Sequence, residues 1–229
     1  MDLGGPKREA FNFGASNLIT NTNVFTCNGK YNYPAPTMPG NNKDPRLPYS
    51  KFRHYEAGGY FLGQIVRNSC QAYLNLPLFF YDWLLLPPGE VPTPTFQDLE
   101  DIRPTEANIL KQFKADPLKI PEYTYFQVNY KVGDVVLSKN LIENGGEVEL
   151  TSENLDLYTS LYVKFFLVDN IKTEFFFLSR GFFKAVTSKL LDNFSPQVRL
   201  IIHFETNKID GKIFLGLGKV SKPFYGMCL

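Results

Sequence analysis

Leu150–Thr187 reads LTSENLDLYTSLYVKFFLVDNIKTEFFFLSRGFFKAVT, and how this stretch must bury itself decides the fold class. Thr151 and Ser152 are residue types that cap a helix, and Glu153 places negative charge where the dipole of a first turn favours it. Leu155, Tyr158, Leu161, Tyr162, Phe165 and Phe166 then recur at helical spacing. Tyr158 and Tyr162 are four apart and so share a face. Asp169-Asn170 breaks the period, and a second helix is expected from Lys172 to about Arg180, closed by Gly181. Two linked helices with this many aromatic side chains cannot stand as a surface hairpin. One face must be buried, and another is available to a partner.

Working outward, the chain of 229 residues is long enough for one large domain or two small ones with a real core. It carries 21 Phe and 13 Tyr, with a formal net charge of only +1 and acids and bases interspersed. That pattern argues against a nucleic-acid footprint or a membrane-binding basic patch. The N-terminal MDLGGPKREAF has no apolar core of the kind a signal peptide needs, and the most apolar run, Leu74–Leu86, is interrupted by Asn75, Pro77 and Asp82. Cys27, Cys70 and Cys228 are odd in number and widely spaced, which points to a reduced compartment, cytosol or nucleus, rather than a disulfide framework.

Gly4-Gly5-Pro6 suits a turn followed by a helix start. Residues 21–50 read as a long irregular loop, with a short hairpin around Tyr31–Tyr33. From Tyr49 the pattern turns helical, with Phe52, Tyr55, Phe61, Leu62, Ile65, Val66, Ser69, Cys70 and Tyr73 as a stripe, and Gly58, Gly59 and Gly63 permitting a close helix approach or a bend. A further helical segment carries Phe79, Phe80, Trp83 and Leu84 and stops at Pro87-Pro88-Gly89. Phe96–Asp116 reads as one helix with Pro104 near its start and Ile109, Leu110 and Phe113 on its inner face. Tyr123–Tyr130, Val135–Leu137 and Glu147–Leu150 alternate like strands, the last two joined by a hairpin turn at Asn144-Gly145-Gly146. Lys189–Phe204 is helical again, with Ser195-Pro196 as a start signal, and Asn207–Leu229 has no clear period.

Catalytic chemistry is sparse. There is no phosphate-binding loop, dinucleotide fingerprint or paired-histidine zinc motif. His54 and His203 lack metal-ligand spacing to any cysteine, so no metal or cofactor is expected. Cys70 reads as a small core residue, and Cys228 has only Lys222 near it to lower a thiol pKa. Asp98, Glu100 and Asp101 read as a solvated helix start. On these grounds no catalytic residue is assigned, and the chain is expected to be an α+β interaction domain, mainly helical.

The order of segments resembles the N-lobe of HECT-type E3 ubiquitin ligases. Gly4-Gly5-Pro6 with Arg8-Glu9-Ala10-Phe11 is similar to that family's opening, and Tyr60-Phe61-Leu62-Gly63 to its long helix. Leu76-Pro77-Leu78 with Phe79–Leu85, Asp98-Leu99-Glu100-Asp101, LSKNLIENGGEVELTSEN over Leu137–Asn154, and Arg180-Gly181-Phe182 follow in the family's order. The resemblance implies a large helical subdomain over 1–121 and 187–229 and a small α/β subdomain over 122–186 that docks a ubiquitin-charged E2 conjugating enzyme. It carries the E2 groove onto Ile109, Leu110, Thr124, Phe126, Tyr158 and Tyr162, with Leu161 and Phe165 turned to the core. The partners implied are an E2, ubiquitin, and a protein substrate held by regions not in this chain. Glu106 stands where the family usually has an apolar groove residue. The family's His-Thr-Cys-Phe motif, whose cysteine takes ubiquitin as a thioester, does not occur in this sequence, and Cys228 lacks its context. Two functions stay open at this point: an E2-recruiting N-lobe, and a non-catalytic scaffold or regulator that keeps the N-lobe architecture without E2 binding.

Overall fold

Glycine decides how two of the long helices meet. In the computed structural model, which describes residues 5–27, 29–39, 52–68, 70, 72, 74–87 and 89–186, helix α1 spans Gly5–Thr20 and is followed by the short antiparallel pair β1 (Phe25–Cys27) and β2 (Asn32–Pro34). Helix α2 spans Arg53–Arg67, α3 Leu78–Leu84, α4 Phe96–Ile102 and α5 Pro104–Ala115. The antiparallel hairpin β3 (Gln127–Val132) and β4 (Val135–Asn140) leads to α6 (Leu155–Lys164), a π-helical turn Phe165–Asp169, and α7 (Lys172–Ala185). The fold is thus mixed α/β, mainly helical, with two small sheets among the described residues.

Helices α2 and α7 form the most extensive helix pairing. A Cβ at Gly59 would lie 1.8 Å from the carbonyl oxygen of Leu178, one at Gly181 would lie 1.9 Å from that of Glu56, and one at Gly63 would lie 2.7 Å from the Ala185 Cβ. The backbones therefore touch where a side chain would ordinarily separate them. Gly181 does not close α7, as its type and position had suggested. The helix runs on to Ala185, and Gly181 sits at the crossing. A glycine inside a helix costs about 1 kcal/mol against alanine, and here close packing of the two helices offsets it. Glu56 on α2 accepts hydrogen bonds from Arg180 Nε at 3.1 Å, from the Arg180 guanidinium at 2.7 Å, and from the Lys184 ammonium. These donors hold its carboxyl below the usual glutamate range. Phe52 stacks on Phe177 with ring centroids 4.7 Å apart, beside the same crossing.

The core continues into α3. The Trp83 and Phe175 rings stack at 3.9 Å, and Phe80 meets Phe175 edge-on at 5.3 Å. Several polar groups taken into this interior are matched, although the buried Tyr81 hydroxyl in α3 has no partner among the described residues. Tyr33 donates its hydroxyl to Leu167 O at 2.8 Å inside the π turn, Tyr55 donates to Ala35 O at 2.7 Å, and the buried Glu174 accepts from Thr37 N at 2.8 Å. Cys70 is buried, as its place on the apolar stripe implied, although α2 itself ends at Arg67. The expected loop hairpin is β1–β2, and Pro6 lies in the first turn of α1.

Four expectations are corrected. Phe96–Asp116 is two helices, because Arg103 leaves helical geometry at φ −135° and ψ 66° and Pro104 begins the next helix. The first of them is fixed by a capping box: Thr95 N donates to Asp98 Oδ2 at 2.7 Å, and Asp98 N donates to Thr95 Oγ1 at 3.3 Å. The hairpin turn lies at Gly133-Asp134, with Gly133 at φ 60°, whereas Gly145–Glu147 is a single 3₁₀ turn. Leu150 N donates to Thr124 O, and Phe126 N to Val148 O, so Glu147–Leu150 pairs with the approach to β3 and not with β4. The N-cap of α6 is Asn154, whose side-chain oxygen accepts from Thr151 N at 2.8 Å; Thr151 and Ser152 lie outside the helix.

The helix expected over Lys189–Phe204, the stretch Asn207–Leu229, His203, Cys228, Ser69, Tyr73 and the part of the large subdomain assigned to 187–229 lie outside the described residues.

Candidate functional site

Three elements converge where a partner groove was expected. Pro104 starts α5 and sets its angle after the break at Arg103. The bridge between Tyr125 and Glu149 ties the approach to β3 to the segment before α6. Helix α6 then lies against α5, and the two are joined by an ion pair between Lys114 Nζ and Asp156 Oδ1 at 2.9 Å.

The six candidate residues divide into two groups. Leu110, Phe126 and Tyr158 are buried, with Phe126 only 1 % and Tyr158 only 7 % exposed. The Tyr158 ring meets Phe126 edge-on at 5.4 Å and an interplanar angle of 90°. These three form a floor and present almost no surface. The reason is geometric: the chain pairing at Thr124–Phe126 brings Phe126 under α6, and an edge-to-face aromatic contact holds Tyr158 down on it. Ile109, by contrast, is 44 % exposed, so it belongs to the outer face of α5, and the inner face is carried by Ala107 and Leu110 with Phe113 half-buried. Thr124 is half-buried and donates its hydroxyl to Pro121 O at 2.7 Å.

Tyr162 sits between the two groups, half-buried, with its ring 5.9 Å from Tyr158 and 4.5 Å from Phe166. Burial pushes its phenol up, the nearby Arg103 works against that and Glu106 adds to it. Burial raises Tyr158 as well, so both tyrosines are neutral hydrogen-bonding rings at physiological pH. Arg103 lies over the Phe166 ring at 4.3 Å and pairs with Glu106. Glu106 is therefore a neutralised rim group, held by a cation that is itself stacked on an aromatic face. Phe165 is buried and Leu161 partly so, the orientation that the family resemblance implied.

Sequence reasoning missed the exposed apolar residues on the same elements. Leu118, in the 3₁₀ turn after α5, is 94 % exposed, and Tyr123 and Leu157 are also largely open. Leu157 was legible as the off-stripe leucine of α6, next to the ion-paired Asp156. Leu118 sits between two prolines and carried no periodic signal.

Elsewhere, Cys27 is an exposed thiol that donates to Gly29 O at 3.1 Å. Among the described residues no group of three or more His, Cys, Asp or Glu is placed to hold a metal, and no helix is long and apolar enough to cross a membrane.

The chain is 28% identical over 164 residues to the probable E3 ubiquitin-protein ligase mug30 of Schizosaccharomyces pombe, a match covering 70% of this chain and 20% of that protein. It is 30% identical over 160 residues to the mouse probable E3 ubiquitin-protein ligase HECTD2, covering 65% and 20%. It is 28% identical over 142 residues to the human probable E3 ubiquitin-protein ligase HERC3, covering 60% and 13%. The chain thus spans about a fifth or less of the length of these relatives. Residues 13–214 match the model of the HECT-domain (ubiquitin-transferase). With the match running over most of its length, the chain belongs to the HECT-domain family.

Proposed function

We propose that this chain is the E2-recruiting lobe of a HECT-type ubiquitin ligase, with residues 122–186 as the docking subdomain on a larger helical base. Membership of the HECT family supports the partner, and the surface of α5, Leu118–Thr124 and α6 supports the place. The single observation that carries the reading is the combination of a packed aromatic floor with open apolar tips. Leu110, Phe126 and Tyr158 are fixed below, while Ile109, Leu118, Tyr123 and Leu157 stand in solvent on the elements above them. Exposed large apolar side chains on a preorganised base are what a tight contact needs, because little ordering is left to do on binding. Tyr162, half-buried, is the natural hot spot, with a broad face and a polar tip. Ubiquitin is the cargo of the proposed partner, and the substrate is assigned to parts of the longer protein that the relatives' lengths imply. Cys27 and Cys70 are free thiols, which fits work in the cytosol or nucleus.

The test is a binding titration against a panel of E2 enzymes. One or more should bind, and Tyr162→Ala and Ile109→Asp should each weaken that E2 by tenfold or more, the scale of a hot-spot loss of about 2 kcal/mol. A folded chain that binds no E2 in the panel sinks the reading in favour of a scaffold. Binding untouched by both substitutions moves the contact elsewhere.

A further inference from the structure

A second concave site lies where the start of α7 meets the chain leaving α3. It is a cavity of about 270 Å³, walled by the stacked rings of Trp83 and Phe175, with Phe176 and Val91 at its lip. No residue lining it belongs to α5 or α6, so it is separate from the proposed E2 surface. Its rim is held in place, because Trp83 donates its indole N–H to Glu90 O at 3.0 Å and so pins the segment after α3 across the opening.

One enclosed wall group is chemically out of keeping with the aromatic rings, the other hydroxyl of the lining, Thr173, being exposed. Ser179 on α7 is 3 % exposed, lines the cavity, and has no hydrogen-bond partner among the described residues. A helical serine ordinarily turns its hydroxyl back to the carbonyl four residues earlier, here that of Phe175, and this one does not. Its oxygen is not sealed off from solvent, so it opens on the cavity, where a ligand that carries a hydrogen-bonding group takes the place of water. The rest of the recognition is apolar and flat, set by the Trp83 and Phe175 rings. The charged residues at the mouth, Lys172 and Glu90, are one of each sign and so favour no net charge in the ligand. The volume falls below the roughly 300–1,000 Å³ of drug-sized pockets, which suits one or two rings and excludes a nucleotide or an extended cofactor.

We propose that this cavity binds a small, neutral aromatic molecule bearing one hydrogen-bonding group, with its ring against Trp83, Phe175 and Phe176 and that group on the Ser179 hydroxyl. The inference does not depend on E2 binding, and it can fail or hold without affecting that reading.

The molecule carries its own reporter. Trp83 is the single tryptophan of the chain, so emission excited at the red edge of its absorption reports on this wall alone. The full chain is titrated with p-cresol and, separately, with toluene, which has the ring without the hydroxyl. A saturable change is expected with p-cresol. Ser179→Ala should weaken p-cresol by about fivefold, the worth of one hydrogen bond, while leaving toluene unchanged. Val91→Phe, which narrows the mouth from an exposed position, should weaken both ligands while the far-ultraviolet dichroism and melting curve stay those of the parent. The proposal is overturned if p-cresol gives no saturable change in the parent chain. It is equally overturned if p-cresol binds the parent and Ser179→Ala alike, or if Val91→Phe leaves both affinities untouched.

Discussion

The α2–α7 crossing and the α5–α6 surface are both helix pairs, and they are built in opposite ways. At the crossing, contact is made by backbone, with Gly59, Gly63 and Gly181 leaving no side chain between the helices. At α5–α6, contact is made by large side chains, with Leu110 and Tyr158 beneath and Ile109 and Leu157 outside. A backbone contact cannot adjust when an atom is added, whereas a side-chain contact can tolerate change at its outer tips. The first region is therefore suited to hold a frame, and the second to meet something else.

That contrast is sharpest in glycine replacement. Gly59→Ala places a Cβ where the Leu178 carbonyl oxygen now stands, and neither helix can yield without moving the core behind it. Overpacking a close-packed interior typically costs about 1–3 kcal/mol, and a clash with backbone belongs at or above the upper end. Urea unfolding should show a loss of about 3 kcal/mol or more, or no folded protein. A loss under about 1 kcal/mol would mean that the crossing is looser than these distances require.

How much of this was legible beforehand depends on the kind of signal. The glycines of α2 were readable as a close approach, because three small residues on an otherwise apolar helix have few other uses. Gly181 was read as a stop, because a lone glycine after a basic residue looks the same whether it ends a helix or crosses one. Its role depends on Glu56, more than a hundred positions away. The break at Arg103-Pro104 shows in the sequence as a proline, but only the Thr95–Asp98 cap makes the first piece a helix of its own. At the candidate site, spacing put Tyr158 and Tyr162 on one face correctly. It could not say that Phe126 would arrive under Tyr158, since that contact is set by the pairing of Thr124–Phe126 with Val148–Leu150. Exposure of Leu118 follows from the two prolines that bracket it and from no period at all.

The floor should rank next. Phe126→Ala removes a fully buried ring that supports Tyr158 edge-on. Losing a buried phenylalanine typically costs about 3–5 kcal/mol, and sites that can collapse fall at the low end. Here Tyr158 can tilt into part of the space, so about 3 kcal/mol is expected from urea titration. A loss that matches Tyr158→Ala, with no further loss in the double variant, would show that the two rings act as a unit.

A smaller effect with a clear pH signature is expected at Glu56. Its carboxyl is held below the usual range by hydrogen bonds from Arg180 and Lys184, aided by their charge and opposed by partial burial. A carboxylate with a lowered folded-state pKa stabilises the protein fully above its unfolded value, near 4.5, and that contribution disappears as pH falls through the folded value. Glu56→Gln should therefore cost about 1 kcal/mol at neutral pH, the scale of a partly exposed charge network. Parent and variant should draw together as the pH falls below that unfolded value and through the lowered folded one. Curves that stay parallel over that range would show that the carboxylate contributes shape and not charge.

The last step leaves stability alone. Ile109 is 44 % exposed on the outer face of α5. Ile109→Asp should shift the unfolding free energy by no more than about 0.5 kcal/mol, as surface substitutions do. Proximity to Glu106 adds little repulsion, because Glu106 is already paired with Arg103. If α5–α6 is a meeting surface, the same variant should lose E2 binding tenfold or more, with its melting curve unchanged. The crossing offers the control. Lys184→Ala trims a side chain that is 60% exposed from the Glu56 network, costs about 1 kcal/mol or less, and should leave E2 affinity where it was. An Ile109 variant that loses stability and keeps binding would reverse the roles assigned to the two helix pairs. One that loses both would show α5 to be frame as well as surface.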